Sequence, residues 1–251
     1  MKKLTELAKI QKIERASIFL WILFLGANVK AQKVDFDQSG RRTDEVTQTG
    51  FNSWQVSQLS YNGSTSTTIN GVRITVTNST RGYDLRTGWY KANIQKDKLI
   101  NDGIHHDGNP RSSTSITITV SGLKNGNHSL QAYHNNPDGV TGMGNITVVV
   151  NGRKKTVVTP SSRATDISQA AKSYISFSGS SATIVYSSST DFYINSLEFD
   201  VADANALATS PYPTNEDYHA NADNGSIALS WKLASNGTDS QVLYWGTDKN
   251  A

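Results

Sequence analysis

Ser115-Ile-Thr-Ile-Thr-Val120 alternates β-branched apolar and hydroxyl side chains with a period of two, the pattern of a strand with one buried and one wetted face. A helix would instead place apolar residues at every third or fourth position. Outward from this stretch the alternation recurs in Lys33–Asp37, Thr68–Val76, His128–His134, Ile146–Asn151, Lys155–Thr159, Ser173–Phe177, Ala182–Ser187 and Phe192–Val201. Turn formers separate these blocks, among them Asn70-Gly71, Lys124-Asn125-Gly126, Asn151-Gly152 and Ser178-Gly179-Ser180. Only Thr165–Lys172 reads as a short helix. About nine strands without a long amphipathic helix predict an all-β chain, folded as an antiparallel jelly-roll β-sandwich.

The first residues combine Lys2, Lys3, Lys9, Lys12 and Arg15 with the apolar run Ile18–Ala27 and the small-x-small pattern Val29-Lys30-Ala31. That order predicts a cleaved signal peptide over residues 1–31 and a secreted, periplasmic or cell-surface destination. The run is too short for a membrane span, which needs about 20 apolar residues. The apparent basicity belongs to the leader. Beyond residue 31 the chain carries 18 basic and 19 acidic residues, a net of −1, so there is no global charge to attract nucleic acid. The absence of cysteine excludes disulfides, thiolate metal sites, cysteine nucleophiles and a lipidated N-terminal cysteine. The sequons at Asn62, Asn78 and Asn145 read as polar turns of a bacterial protein.

Residues 32–203 form the expected sandwich, and 204–218, with Pro211 and Pro213, read as a linker. In 219–251, Ser226–Trp231 and Gln241–Gly246 look like two strands of a further domain. Two strands are too few for a stable domain, so the expectation is a longer gene product.

Leu99-Ile-Asn-Asp-Gly103, Ser115–Leu123, Gly126-Asn-His-Ser-Leu130, Tyr133-His-Asn135 and Tyr193-Ile-Asn-Ser-Leu-Glu-Phe-Asp200 together resemble a malectin-like, galactose-binding-like β-sandwich. Ile227-Ala-Leu-Ser-Trp231 with Val242-Leu-Tyr-Trp-Gly-Thr-Asp-Lys249 is similar to the opening of a fibronectin type III domain, where the Trp packs between the sheets. The resemblance implies the N-terminal region of a secreted bacterial polysaccharide-degrading protein. A downstream pectate-lyase-like β-helix, or a glycoside hydrolase, is the implied catalytic unit. The implied partner is a polysaccharide, pectic in the case of such a lyase, and the implied module is monomeric.

No catalytic centre is legible. Glycoside hydrolysis wants two facing carboxylates and a serine hydrolase wants a partnered His with a strained elbow. Asp35 with Asp37 and Asp44 with Glu45 read as solvated turn charges, and the chain lacks the repeat of about 20 to 25 residues that a β-helix lyase shows. The Gly-bounded loop Asp102–Gly108 gathers two His and two Asp residues. Calcium, which takes carboxylate and carbonyl oxygens, fits such a loop as a possible ion. His105 and His106, being adjacent, point apart in an extended backbone and cannot share one transition metal.

Sugar binding asks for an aromatic face and a few directed polar groups on loops. Trp54, Trp89 and Tyr90 are the candidate platforms; Asp102, His105, His106, His134 and Asn135 are the candidate polar contacts. For an acidic polymer Arg81 and Arg86, with Arg41 and Arg42, would be the anchors, since guanidinium pairs bidentately with carboxylate. Two rival readings remain: a structural or adhesive surface module without a sugar site, and a part of a lyase catalytic unit.

Overall fold

The alternating stretch Ser115–Val120 becomes a central strand of a β-sandwich. The computed structural model describes residues 32–88, 97–108, 110, 112–201, 209–212 and 230–232. The chain divides into two units, Met1–Lys30 and Ala31–Ala251, and every described residue belongs to the second. The signal segment, Trp89, Tyr90 and Gln241–Gly246 lie outside the described residues. Among the described residues no helix is long and apolar enough to cross a membrane.

In chain order the strands are β1 (Lys33–Asp35), β2 (Asn52–Ser53), β3 (Ser64–Ile69), β4 (Val72–Asn78), β5 (Leu85–Gly88), β6 (Gly103–His106), β7 (Thr114–Ser121), β8 (Asn127–Asn136), β9 (Ile146–Val150), β10 (Arg153–Val158), β11 (Ser161–Ser162), β12 (Ala171–Ser178), β13 (Ser181–Ser188), β14 (Ser196–Phe199), β15 (Thr209–Tyr212) and β16 (Ser230–Lys232). One sheet runs β10-β9-β13-β7-β4-β3, antiparallel throughout. The other runs β11-β8-β14-β1-β2, with β12 also paired to β8. Here β1–β2 and β8–β11 are short parallel pairings.

Every second residue of β4, β7, β9 and β13 turns inward: Ile74 and Val76, Ile116 and Ile118, Val148, Ile184 and Tyr186. They meet Val34, Phe36, Leu130, Ala132, Ile175, Phe177, Leu197 and Phe199 from the facing sheet in one apolar cluster. The opposite residues of β4 and β7, Thr75, Thr77, Thr117 and Thr119, stay half-exposed, as the period of two requires. The all-β expectation therefore holds. Asn70 and Gly71, at φ +49° and +84°, split the single strand expected over Thr68–Val76 into the β3–β4 hairpin.

The differences from expectation have local causes. Gly103–His106 is a strand, not a loop, and pairs with β5. All four of its residues are buried, so the alternation that would reveal it is missing. Thr165–Lys172 yields one 3₁₀ turn, Ile167–Gln169, capped by Asp166 accepting from the Ser168 amide at 2.8 Å. Asn78 is fully buried rather than in a turn; its Nδ2 donates to Leu59 O and Tyr83 O at 2.9 and 2.7 Å. In the segment read as a linker, Thr209–Tyr212 pairs antiparallel with Ser230–Lys232.

His134 lies on β8 with no exposed surface and is fixed by Tyr193 O at Nδ1 (3.0 Å) and Ser173 Oγ at Nε2 (2.9 Å). Burial holds its ring neutral and lowers its pKa from 6.5 to about 4, with the Tyr193 carbonyl acting weakly the other way. As pH falls below 6.5 the unfolded chain therefore takes up a proton that the folded chain refuses until about 4. This residue's share of stability is full above the upper value and falls by about 3 kcal/mol toward the lower one. Urea midpoints at neutral and acidic pH, compared between the parent and His134→Gln, check this: the acid loss should shrink in the variant, and equal losses would exclude His134 as the cause.

Candidate functional site

Two clusters emerge where β1, β6, the end of β8 and the segment before β14 come together. The first is a set of carboxylates. Asp35 ends β1, Asp37 lies two residues on, and Asp102 follows the 3₁₀ turn Lys98–Ile100. None of the three has exposed surface, and one carboxylate oxygen of each lies within 4.8 Å of those of the others. In every case Oδ2 is satisfied: Asp35 accepts from the Gln48 amide at 2.7 Å, Asp102 from the Gln38 amide at 2.7 Å, and Asp37 from Thr47 Oγ1 at 2.5 Å. In every case Oδ1 is buried without a hydrogen-bond partner.

Such orphan acceptors are costly, since a buried polar atom left unmade loses about 1–3 kcal/mol. Burial first, and the neighbouring carboxylates second, push the Asp35 and Asp102 carboxyls well above their usual range. Three converging hard oxygens are the donors a calcium ion takes, whereas zinc would want nitrogen or sulfur. The residues thus fit calcium, and they are not the solvated turn charges that Asp35 and Asp37 suggest in sequence. Bound there, the ion would supply neutralisation and cross-linking of the first strand to the β6 arm, not chemistry on a substrate.

The second cluster is a cleft of about 250 Å³, lined by His105, Asp107, Gly108, Asn136, Asp138, Val140, Asp191 and Tyr193. It is built around Asp191. His105 Nδ1 lies 3.2 Å from Asp191 Oδ2, and the His106 amide donates to Asp191 Oδ1 at 3.0 Å. His106 Nδ1 is 3.6 Å from the same Oδ1. One carboxylate thus lies within 3.6 Å of the Nδ1 atoms of both His105 and His106, neighbours that an extended backbone is expected to turn apart. Burial acts to raise the Asp191 carboxyl, but the contacts from His105 and His106 outweigh it and hold the group below its usual range.

His105 also stacks on Tyr193, with centroids 4.5 Å apart and planes 8° from parallel. The strand bonds Ile104 N to Ile194 O (2.9 Å) and Ile194 N to Ile104 O (3.1 Å) lock this pair to the sandwich. Gly103 permits that approach, because a Cβ there would meet Ile194 O at 2.7 Å. On the opposite wall Asn136 Oδ1 accepts from the Asp138 and Gly139 amides at 2.8 and 3.1 Å, which sets the turn that carries Asp138. At the rim Asp107 pairs with Arg86 at 2.8 Å.

Between the clusters lies Asn195, fully buried, whose Oδ1 accepts from the Asn135 amide at 2.6 Å. Its Nδ2 donates to Asp102 O at 2.5 Å and Asn135 O at 3.0 Å. One amide therefore ties the carboxylate cluster, the end of β8 and the cleft's floor together.

Of the residues singled out in sequence, His105 lines the cleft, and Arg86 borders it through Asp107. Trp54 is only 9 % exposed and packs on Phe36 at 5.5 Å, so its faces belong to the core. His106, His134 and Asn135 are buried behind the cleft, and the Asn135 side chain is engaged by Ile100 O, Ser161 Oγ and the Ala164 amide. Arg81 lies over the Tyr61 ring at 5.4 Å, and Arg42 pairs with Asp44. Asn136, Asp138, Asp191 and Tyr193 were missed. For Asn136 and Asp138 the signal was the turn Asn136-Pro137-Asp138-Gly139 directly after a strand, a place where loops carry function; Asp191 and Tyr193 had no local signal.

No family model matches this chain, and no curated protein matches it. Solved structures do. A family 35 carbohydrate-binding module from Clostridium thermocellum is 14 % identical over 58 % of this chain and 92 % of its own, with a TM-score of 0.32. A family 35 module from Cellvibrio japonicus is 15 % identical over 59 % and 94 %, with a TM-score of 0.27. A family 61 module in complex with β-1,4-galactotriose is 10 % identical over 50 % and 86 %, with a TM-score of 0.32. At these values the likeness carries no weight for ligand or fold, and the sandwich rests on its own strand pairing.

A wider cleft of about 490 Å³ lies at the start of β8, among Asn127, His128, Ser129, Tyr174, Ser176, Asp200 and Val201. Its polar atoms are largely engaged by the chain itself. His128 meets Asp200 Oδ1 at 2.9 Å and Lys124 O at 2.7 Å, and Ser129 Oγ and Tyr174 OH both donate to Val201 O.

Proposed function

We propose that the sandwich is a non-catalytic carbohydrate-binding module, with its ligand in the cleft of His105, Asn136, Asp138, Asp191 and Tyr193 and a calcium ion on Asp35, Asp37 and Asp102. One observation carries this reading: a small cleft whose acceptors and amide are already held in place beside an aromatic pair. Sugar recognition uses this combination, a preformed concavity with a few directed polar groups. Because the lining includes Asp107, Asp138 and Asp191, the cleft favours the hydroxyls of a neutral sugar over a carboxylate. In a longer exported gene product, the module would keep a downstream depolymerase near its polymer, with the fibronectin-like segment as spacer. The gain is local concentration.

Affinity electrophoresis of the full chain in gels containing neutral galactan, xylan, mannan or polygalacturonate tests the reading. Retardation by a neutral polymer should weaken about tenfold in Asp138→Ala, the equivalent of one good polar contact to a sugar. Unchanged melting would show that the fold is intact. Failure of every neutral polymer to retard the parent would reject the cleft as a sugar site.

A further inference from the structure

The arginines expected to grip an acidic polymer are engaged elsewhere, on Asp44, Tyr61 and Asp107. Another set of cations is not. Arg153, Lys154 and Lys155 open β10, all three exposed, and none makes an ion pair or side-chain hydrogen bond among the described residues. Strict alternation would turn part of this triplet toward the core. A register shift between Lys154 and Thr156 prevents that, because a bulge adds one unpaired residue and re-aims the side chains beside it.

Lysine on an outer strand commonly serves to block pairing with another chain. The same sheet argues against that as the whole purpose. β3, its other outer strand, is also six residues long and reads Ser-Thr-Ser-Thr-Thr-Ile without a single charge. The triplet's position is also informative. β10 leads from it toward β11, whose Ser161 and Ser162 pair with Asn135 and with the cleft-lining Asn136. Lys155 to Ser161 is at most roughly 20 Å of extended chain, within the reach of a short oligosaccharide.

We infer that Arg153, Lys154 and Lys155 form a second saccharide-binding site, a cationic strip that holds the carboxylates of a uronic-acid-containing chain running along β10 toward the cleft. This goes beyond the proposed function, which concerns the cleft alone. The ligand class it selects is a heteropolymer that offers acidic residues to the strip and a neutral residue to the cleft. Three cations on one narrow strand suit a single flexible polyanion, whereas duplex nucleic acid wants a broad basic face.

The test is retardation of the full chain in polygalacturonate gels at low salt, beside neutral galactan as the separate measure of the cleft. Replacing the triplet by Arg153→Glu, Lys154→Glu and Lys155→Glu should weaken polygalacturonate binding about tenfold or more, the sum expected of three exposed charge contacts. Raised salt should do the same to the parent. Binding of neutral galactan should not change, so a failed cleft and a failed strip are told apart. Glutamates protect an outer strand as well as lysines do. A reversed variant that still binds polygalacturonate like the parent, while an Arg153→Gln, Lys154→Gln and Lys155→Gln variant self-associates, would therefore assign the triplet to edge protection and overturn the inference. Equal retention of the parent by anionic vesicles or duplex DNA would overturn it too.

Discussion

Removing calcium with EDTA should lower the thermal unfolding midpoint on the order of 5–10 °C, the shift expected when a ligand held at 100 times its Kd is taken from a domain of this size. The cause is the carboxylate cluster. Without a cation, Asp35, Asp37 and Asp102 keep three unpartnered oxygens in the interior, and their burial and mutual repulsion count against folding. A bound calcium ion would take the same oxygens as ligands. Magnesium should restore less, since it demands a rigid octahedron and releases its waters reluctantly. Asp102→Asn sharpens the point. In EDTA it should melt no lower than the parent, because one of three crowded carboxylates is gone, and it should lose most of the calcium response. Scanning calorimetry with and without the ion reads both, and identical midpoints for the parent in the two conditions would dismiss the cation.

Asn195→Ala should destabilise the protein by about 3 kcal/mol or more, through two orphaned acceptors and one orphaned donor, each costing roughly 1–3 kcal/mol when buried. The partners left behind are the Asn135 amide, Asp102 O and Asn135 O. Asn195→Asp should fare little better, since a carboxylate cannot donate to those two carbonyls. The effect should reach further than stability. Freed from Asn195, the Asp102 backbone is no longer registered against β8, so the calcium response should fall as well. Asn145→Ala, at an exposed amide, is the control, and should stay within about 0.5 kcal/mol of the parent. Urea denaturation with calcium present measures all three, and a cost for Asn195→Ala no larger than the control's would refute its role as a tie.

The period-two pattern made the two sheets legible before any coordinates, because strands such as β7 and β13 bury one face and wet the other. It failed where that asymmetry disappears. β6 is buried on both faces, so its Gly-Ile-His-His resembled a polar loop, and the residues around it were grouped by sequence proximity. In space they part: Asp102 joins Asp35 and Asp37, while His105 and Asp107 line the cleft. Asp191 and Tyr193 come from a segment more than eighty residues away, a proximity that only long-range pairing creates. Aromatic residues misled for a related reason. Trp54 lies in an irregular stretch, yet that stretch folds back on Phe36, so its ring fills the core.

The order of β8, β14 and β1 in one sheet has a kinetic consequence. β14, the last strand of the sandwich, is inserted between β8 and the first strand, with Lys33 opposite Glu198 and Tyr133 opposite Ser196. Neither neighbour can complete its hydrogen bonds until Phe199 has been synthesised, so the sheet cannot close progressively from its N-terminal side. Topologies dominated by such distant pairings fold in milliseconds to seconds rather than microseconds. Until then β1 and β8 present unpaired edges, and the carboxylates and the cleft do not yet exist as sites. On the proposed function, competence for calcium and sugar would therefore arise only once β14 has docked between β1 and β8.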